Sequence, residues 1–326
     1  MTFWRDRNVL VTGATGLLGG WLVEALLQRR ANVTCLVRDW VPRSRAVESG
    51  LLARTNSVRG SLEDYELVLR TLNEYEIDSV FHLGAQTIVG TAARSPRSTF
   101  EGNVRGTWNV LDACRECPKL VERVVVASSD KAYGEHARLP YREDTPLQGR
   151  FPYDASKSCT DLIALSYYHT YGTPVSITRC GNLFGGGDLN FNRLIPGTIR
   201  SAILDQSPII RSDGRFVRDY FYVKDAVDAY LLLAEQMPGE AFVGEAFNFG
   251  TETPVTVLDL VESVLRLMGK ESLEPTILNE ASNEILRQYL DCSKARRLLD
   301  WSPGHTQDDA LRETISWYRT WVTGSA

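Results

Sequence analysis

The chain has 326 residues, with 36 basic and 41 acidic side chains and a formal net charge of −5. This length suggests about two domains, with a core large enough to fold without disulfides or a structural metal. The charge balance excludes the large positive field that binds nucleic acid or an anionic membrane surface. No segment approaches the roughly 18 apolar residues of a transmembrane helix, and the N-terminus lacks the features of a signal peptide, so we expect a cytoplasmic protein.

The six cysteines are scattered along the chain, which favours reduced thiols over a disulfide framework. Cys114 and Cys117 form a single C-x-x-C motif, and the whole chain has only four histidines. A structural zinc site needs about four ligands. The sequence therefore predicts no metal site.

Strand-like and helix-like segments alternate through the first half of the chain. Short apolar runs predict strands over 8–12, 33–37, 79–83 and 123–127, and helical spacing predicts helices over 21–29, 64–75 and 99–114. Strands that alternate with helices indicate right-handed crossovers. We predict an α/β fold with a doubly wound parallel sheet of the Rossmann type.

The alternation becomes irregular past about Arg179, where loops rich in Gly and Pro separate shorter elements. We predict a dinucleotide-binding domain over residues 1–180, to which residues of about 218–250 return. A smaller domain over 181–326 is predicted to cover the carboxyl ends of the strands, where such sheets bind ligands. Closing helices are predicted over 291–299 and 308–321.

Three glycines, Gly13, Gly16 and Gly19, follow the first predicted strand with the spacing G-x-x-G-x-x-G. The first two permit a tight turn, the last permits close packing of a helix, and the helix N-terminus attracts a pyrophosphate. A strand-to-helix turn without a ligand is the alternative. The cofactor-binding residues predicted in this segment are Gly13, Thr15, Gly16, Leu17, Leu18 and Gly19.

The end of the second predicted strand indicates which dinucleotide binds. An acidic residue there hydrogen-bonds a free ribose 2′-hydroxyl, whereas arginine accommodates a 2′-phosphate. The sequence offers both, as Arg38 and Asp39. The spacing from Gly19 slightly favours NADP over NAD, unless Arg38 is only a solvated surface residue.

Two polar motifs lie about 25 residues apart in the sequence. Ser128-Ser129-Asp130-Lys131 directly follows an apolar strand, and Tyr153 precedes Lys157 by four residues. Positions i and i+4 share one face of a helix, so the phenol and the ammonium would reach the same ligand. A nearby cation favours phenolate, and this predicts a lowered pKa for Tyr153 and a base near neutral pH.

Together these motifs resemble those of the extended short-chain dehydrogenase/reductases of the nucleotide-sugar epimerase/dehydratase family. The resemblance covers about residues 5–320 and includes the segments 103–107, 179–182 and 218–223. Within that family, the segments 19–22, 129–131, 185–188 and 290–295 are similar to members that dehydrate CDP-glucose.

The resemblance implies a role for each residue of the two polar motifs. Ser129 and Tyr153 would hold the sugar 4-hydroxyl, and Tyr153 would take its proton while hydride leaves C4. Lys157 would bind the nicotinamide ribose and lower the pKa of the tyrosine. Asp130 would protonate the departing 6-hydroxyl, and Lys131 would be the C5 base or its electrostatic helper. The alternative is that Asp130 and Lys131 form a solvated turn pair.

The resemblance also implies residues that contact the cofactor and the substrate. Asn182, Arg218 and Arg287 would lie near the substrate diphosphate, and Arg193 near its nucleotide. His82 is expected to be a structural histidine. The remaining cofactor-binding residues implied are Ser61, Leu62, Leu83, Ala85, Gln86, Asn103 and Ser128, with Tyr153 and Lys157.

The function expected from the resemblance is a nucleotide-sugar 4,6-dehydratase that converts CDP-glucose to CDP-4-keto-6-deoxyglucose. It would oxidise C4, remove water across C5 and C6, and return the hydride to C6. An NAD(P)-dependent nucleotide-sugar epimerase and a non-catalytic dinucleotide-binding sensor are the alternatives. Relatives commonly dimerise through a four-helix bundle, so a homodimer that pairs residues 98–114 and 153–171 is expected.

Overall fold

Seven parallel strands form the central sheet of the computed structural model, which describes residues 3–237, 239–280 and 284–323. Their order is β11-β6-β5-β4-β1-β2-β3, and three small sheets join β10 to β7, β12 to β9 and β14, and β13 to β8. The strands are β1 (Asn8–Thr12), β2 (Asn32–Val37), β3 (Asn56–Arg59), β4 (Ser79–His82), β5 (Arg123–Ala127), β6 (Val175–Cys180), β7 (Asn182–Phe184), β8 (Ile209–Ile210), β9 (Val217–Arg218), β10 (Tyr220–Tyr222), β11 (Ala246–Phe249), β12 (Val255–Thr256), β13 (Thr276–Ile277) and β14 (Arg287–Gln288).

Helices cover both faces of the central sheet. Alternate residues of β1 point to opposite faces, so Val9 and Val11 pack in one apolar cluster and Leu10 packs in the other. The helices are α1 (Leu17–Gln28), α2 (Arg45–Glu48), α3 (Tyr65–Glu74), α4 (Val89–Arg94), α5 (Pro96–Phe100), α6 (Gly106–Glu116), α7 (Pro152–Tyr171), α8 (Leu194–Ile203), α9 (Val223–Gln236), α10 (Val257–Met268), α11 (Ser293–Leu299) and α12 (Gln307–Thr323).

The predicted α/β fold with a doubly wound parallel sheet is confirmed. Helices α1 and α9 pack together on one face, and α3, α6 and α7 pack in sequence on the other. Strands β1 and β5 have the predicted bounds. The predicted helix over 99–114 is instead α5 and α6, joined by a π-helical turn over Glu101–Arg105.

Helix α1 begins four residues earlier than predicted, at Leu17 rather than at residue 21. Glycine is a poor helix former, yet Gly19 and Gly20 both lie near the start of α1. The structure explains why glycine occurs at position 19 despite its low helix propensity. A Cβ atom there would lie 2.2 Å from the Gly13 carbonyl oxygen, so only glycine lets the helix pack this closely on the loop.

The second half of the chain contributes to both parts of the structure. Strand β11 pairs with β6 in the central sheet, whereas β9 and β10 lie in the small sheets. The division of the chain at residue 180 stays a prediction. No helix in the described residues is both long and apolar enough to cross a membrane.

Candidate active site

A cavity of about 1350 Å³ opens at the carboxyl ends of the parallel strands and extends to the small sheets. It is lined by the loops after β1, β2, β4 and β5 and by residues of α7 and α8. The predicted site residues that line it are Gly13, Thr15, Gly16, Leu17, Leu18, Gly19, Arg38, Asp39, Ser61, Leu62, Leu83, Ala85, Gln86, Ser128, Ser129, Lys131, Tyr153, Lys157, Asn182, Arg193 and Arg218.

The glycine loop after β1 forms a cradle that suits a diphosphate. Gly13 has a φ of 73°, and a Cβ atom on it would lie 2.9 Å from the backbone of Gly84. Gly16 directly precedes α1 and has no side chain that could cap it, so no capping side chain pairs with the first N–H groups of the helix. The exposed helix N-terminus favours a negative group. These residues fit the pyrophosphate of a dinucleotide.

Arg38 and Asp39 follow β2 at the edge of the cavity. Arg38 Nε donates a hydrogen bond to Asp39 Oδ2 at 2.7 Å, and both side chains are more than half exposed. The two side chains that favour different ribose groups are therefore paired with each other. This contact supports neither NAD nor NADP.

Asn103 is buried and does not belong to the cavity lining, but it holds a residue that does. Its amide binds both backbone groups of Gln86, accepting from the N–H at 2.6 Å and donating to the carbonyl at 3.0 Å. His82 lies between the hydroxyls of Thr12 and Thr107, each at 3.0 Å. Burial lowers the pKa of His82 to about 3, so it is a neutral, hydrogen-bonded residue of the core.

Tyr153 and Lys157 lie one turn apart on the buried face of α7, near the start of the helix. Lys157 Nζ donates to the Ala127 carbonyl at the end of β5 at 2.7 Å, and burial lowers the pKa of this lysine to about 8. Burial raises the pKa of Tyr153 to about 12, although a hydrogen bond with Ser129 and the charge of Arg193 act in the opposite direction. This direction is opposite to the predicted one, because desolvation outweighs the nearby cations.

Ser129, Asp130 and Lys131 form the turn that directly follows β5. Ser129 Oγ accepts a hydrogen bond from Lys131 N at 3.2 Å and donates one to Asp130 Oδ1 at 3.1 Å. Asp130 is only 1% exposed, and its Oδ2 has no hydrogen-bond partner among the described residues. Asp130 lies just behind the residues that line the cavity, whereas Ser129 and Lys131 line it.

Burial shifts the two ionisable groups of this turn toward their neutral forms. It raises the pKa of Asp130, although the charge of Lys131 opposes the shift, and it lowers the pKa of Lys131, although the charge of Asp130 opposes that. A protonated carboxyl and a neutral amine are the forms that donate and accept a proton. Asp130 is buried and Lys131 is half-buried, unlike a solvated turn pair.

The structure places three of the four residues predicted to bind the substrate in the cavity lining and leaves the fourth outside it. Arg193 binds Asp188 at 3.0 Å and Thr87 at 3.2 Å across the cavity wall. Arg218 is 4% exposed and donates to the carbonyls of Val217 and Leu286. Asn182 lies beside it in the lining, but Arg287 is exposed on β14 and lies outside the cavity lining.

Several residues of the site were not predicted. Glu284 lies 3.4 Å from Arg218 Nη2, and Asp154 lines the cavity next to Tyr153 with a pKa that burial raises to about 6. Gln288 accepts a hydrogen bond from Lys131. The contacts of Glu284 and Gln288 join segments far apart in the chain, so no local spacing indicates them. Asp154 directly follows Tyr153, but its burial is not visible in the sequence.

Comparisons with known proteins agree with this geometry. The family model described as GDP-mannose 4,6 dehydratase matches residues 10–314. The chain is 30% identical over 339 residues to the CDP-glucose 4,6-dehydratase of Salmonella typhimurium, covering 99% of this chain and 93% of that protein. It is 28% identical over 337 residues to a dTDP-glucose 4,6-dehydratase of Xanthomonas campestris, covering 97% and 95% of the two chains.

Solved structures of similar proteins superpose over nearly the whole chain. The dTDP-glucose 4,6-dehydratase of Streptomyces venezuelae with NAD bound has a TM-score of 0.87 and 28% identity, with 96% of this chain and 97% of that chain covered. The UDP-glucose 4-epimerase of Thermotoga maritima with UDP-glucose also has a TM-score of 0.87, with 26% identity and coverages of 97% and 99%. The predicted resemblance is confirmed, and the chain belongs to the GDP-mannose 4,6 dehydratase family of extended short-chain dehydrogenase/reductases.

Proposed function

We propose that this chain is a nucleotide-sugar 4,6-dehydratase that converts CDP-glucose to CDP-4-keto-6-deoxyglucose. The observation that carries the proposal is the turn after β5, where a buried carboxyl, Asp130, directly precedes Lys131, which lines the cavity. Removal of water needs one group that gives a proton and one that takes a proton. The raised pKa of Asp130 and the lowered pKa of Lys131 favour the forms that give and take a proton, within a single turn.

The first step is proton removal from the sugar 4-hydroxyl by Tyr153. Tyr153 and Ser129 both line the cavity, and Ser129 favours the deprotonated form of Tyr153. Ser129 would orient the 4-hydroxyl, and its O–H proton would pass to the phenolate form of Tyr153. Because burial alone favours the protonated phenol, the phenolate requires the bound dinucleotide and substrate to lower this pKa. The C4–H bond would break with its hydride passing to the dinucleotide. A ketone forms at C4, and the proton on C5 becomes acidic.

The second step removes water across C5 and C6. Lys131 Nζ takes the proton from C5, the C5–C6 double bond forms, and the C6–O bond breaks. Asp130 gives its proton to the departing hydroxyl, which leaves as water. With the dinucleotide bound, hydride would be returned to C6 and Lys131 would give its proton back to C5, so the product carries a C6 methyl group and a C4 ketone. The proton gained by Tyr153 balances the one lost by Asp130, so only water leaves overall.

The dinucleotide would be held by the glycine loop after β1, by Lys157 and by the loops that follow β2 and β4. When bound, a nicotinamide supplies the acceptor for the C4 hydride and the donor for C6. The slight preference for NADP rests on Arg38, and its pairing with Asp39 leaves NAD as the other possibility. NAD is the dinucleotide bound in the Streptomyces venezuelae relative.

The choice of CDP-glucose rests on the Salmonella typhimurium relative, which is named for that substrate. Relatives named for dTDP-glucose are 28% identical to this chain, only slightly less similar. We assign the substrate diphosphate to Asn182 and Arg218 and the nucleotide to Arg193, because all three line the cavity. Arg287 stays a weaker candidate because it is exposed outside the lining.

A nucleotide-sugar epimerase is the second candidate function. The Thermotoga maritima epimerase superposes as well as the dehydratases do. An epimerase would use Tyr153 and Lys157 in the same way but would have no use for a proton donor at Asp130. The buried, partly unpartnered carboxyl therefore favours the dehydratase.

We also propose a homodimer that pairs α6 and α7 with the same helices of a second copy. Trp108 on α6 and Leu162 on α7 are 43% and 57% exposed, respectively, and both lie on the side of the sheet where these two helices pack together. Large apolar side chains on adjacent helices are a common basis of such four-helix contacts.

A panel of nucleotide-hexoses tests the proposed function. The purified chain is incubated with CDP-, dTDP-, UDP- and GDP-hexoses and with NAD or NADP, and the products are weighed by mass spectrometry. We expect one product, from CDP-glucose, that is lighter by one water. A product of unchanged mass that separates from its substrate by chromatography would show an epimerase. Loss of water from dTDP-glucose alone would reject the assigned nucleotide.

A further inference from the structure

Gln288 lies behind Lys131 and outside the cavity lining. Its side chain is 0% exposed, and its Oε1 accepts a hydrogen bond from Lys131 Nζ at 3.1 Å. The two residues are 157 positions apart, so the fold creates this contact. Lys131 thus touches the cavity on one side and a buried amide on the other.

The backbone around Gln288 is fixed on both sides. Val217 N donates to the Leu286 carbonyl at 2.9 Å, and Tyr141 N donates to the Tyr289 carbonyl at 3.0 Å. Strand β14 pairs with β9, with Gln288 in register with Arg218. The amide therefore has little freedom to move away from Lys131.

The NH2 group of the Gln288 amide indicates that this glutamine does not serve to stabilise the fold. Gln288 Nε2 is buried and has no hydrogen-bond partner among the described residues. A buried unpaired donor is unfavourable for folding, and an apolar side chain of similar volume would avoid that cost. What the glutamine supplies at this position is an acceptor for Lys131.

Four charged groups influence Lys131, whereas its hydrogen-bond partner Gln288 is uncharged. Asp130 lies in the same turn, Asp154 on α7, Arg218 on β9, and Glu284 in the segment before β14. Gln288 adds a hydrogen bond without adding a charge. A carboxylate at this position would favour the ammonium form of Lys131, which cannot take a proton.

We propose that Gln288 is a positioning residue for the dehydration, whose neutral amide oxygen fixes Lys131 Nζ in place for the proton at C5. This inference rests on the proposed function. It also assigns to Lys131 the role of base rather than that of an electrostatic helper.

Two substitutions separate this role from a structural one. Gln288→Met removes the acceptor at similar volume, and we expect the kcat for dehydration to fall about tenfold or more with KM unchanged. The midpoint of thermal unfolding of Gln288→Met should not fall, because the substitution also removes the buried Nε2 group, which has no partner among the described residues. Gln288→Glu should raise the pKa of Lys131 and move the pH profile of kcat to more alkaline values. Tyr289→Phe, on the adjacent residue, is the control.

The lysine itself can be followed without turnover. The chain has only six lysines (Lys119, Lys131, Lys157, Lys224, Lys270 and Lys294), so NMR of lysine labelled at Cε with ¹³C gives few signals, and Lys131→Arg identifies one. In the full chain with its dinucleotide, we expect the Lys131 signal to titrate at higher pH in the Gln288→Glu variant than in the unsubstituted chain.

The outcomes of these experiments test the role of Gln288 separately from the proposed dehydratase function. Unchanged kcat in Gln288→Met, a joint fall of kcat and thermal midpoint, or an unchanged Lys131 titration in Gln288→Glu would each overturn the role of Gln288 while the dehydratase stands. An unsubstituted chain that removes no water from any nucleotide-hexose would overturn the proposed function itself, and the role of Gln288 with it.

Discussion

Replacing Tyr153 with phenylalanine is expected to lower turnover by about 10²–10⁴-fold, the usual contribution of a positioned general base. The substitution removes only the hydroxyl that takes the proton from the sugar 4-hydroxyl. The ring is 7% exposed and stays in the same apolar surroundings, so the fold and the binding of the nucleotide should persist. We expect the loss in kcat, with little change in the dissociation constant of the nucleotide-hexose.

The measurement is the single-turnover rate at which the reduced dinucleotide appears, together with the rate of product formation. Without the phenol, hydride cannot leave C4, so both rates should fall together. Tyr168→Phe is the matched control, because it removes a phenol hydroxyl from a half-buried position on the same helix but outside the cavity lining. If Tyr153→Phe turned over at the normal rate, the assignment of this chain as an enzyme of this chemistry would have to be abandoned.

Replacing Asp130 with asparagine is expected to stop the reaction one step later. The variant keeps Tyr153, so hydride still leaves C4, but nothing protonates the departing 6-hydroxyl. We expect product formation to fall by about 10²–10⁴-fold while the reduced dinucleotide accumulates. This pattern differs from that of Tyr153→Phe, in which no reduced dinucleotide should form.

The same variant has an expected effect on stability. Burial raises the pKa of Asp130 in the folded chain, so the folded chain holds this proton more tightly than the unfolded chain. Wild-type stability therefore falls as the pH rises above the ordinary aspartate pKa of about 3.9, whereas the asparagine variant has no such loss. Relative to wild type, the variant should be more stable at pH 7 than at pH 4.

Thermal unfolding at several pH values measures the stability effect, and rapid mixing with absorbance detection measures the kinetic one. Glu143→Gln is the control, since burial also raises the pKa of Glu143, but this residue lies outside the cavity lining. A normal rate of water loss in Asp130→Asn would exclude Asp130 as the acid. A stability difference that does not shift in favour of the variant between pH 4 and pH 7 would contradict the raised pKa.

The sequence predicted those parts of the fold that local pattern determines. Strand β1 ends at Thr12 as predicted because the apolar run stops where Gly13 begins a turn with positive φ. The start of α1 could not be predicted in this way. The glycine spacing predicted close packing of a helix at Gly19, but only the structure shows that Gly19 packs against the Gly13 carbonyl and lies inside α1.

In the candidate site too, local spacing predicted some features, whereas others depend on contacts between distant segments. The motif spacing placed Tyr153 and Lys157 on one helical face, and both line the cavity. The direction of the pKa shift of Tyr153 was predicted wrongly, because the sequence shows the nearby lysine but not the depth of burial. Gln288 was missed since its contact with Lys131 depends on the pairing of β14 with β9.

One isotopic measurement tests most directly the claim that a single site both oxidises C4 and removes water across C5 and C6. The chain is supplied with CDP-glucose deuterated at C4, and the product is examined by mass spectrometry and NMR. We expect a 4-keto sugar that is lighter by one water and has the deuterium in its C6 methyl group. Deuterium that remains at C4 in a product of unchanged mass would contradict the dehydratase and leave epimerisation in its place.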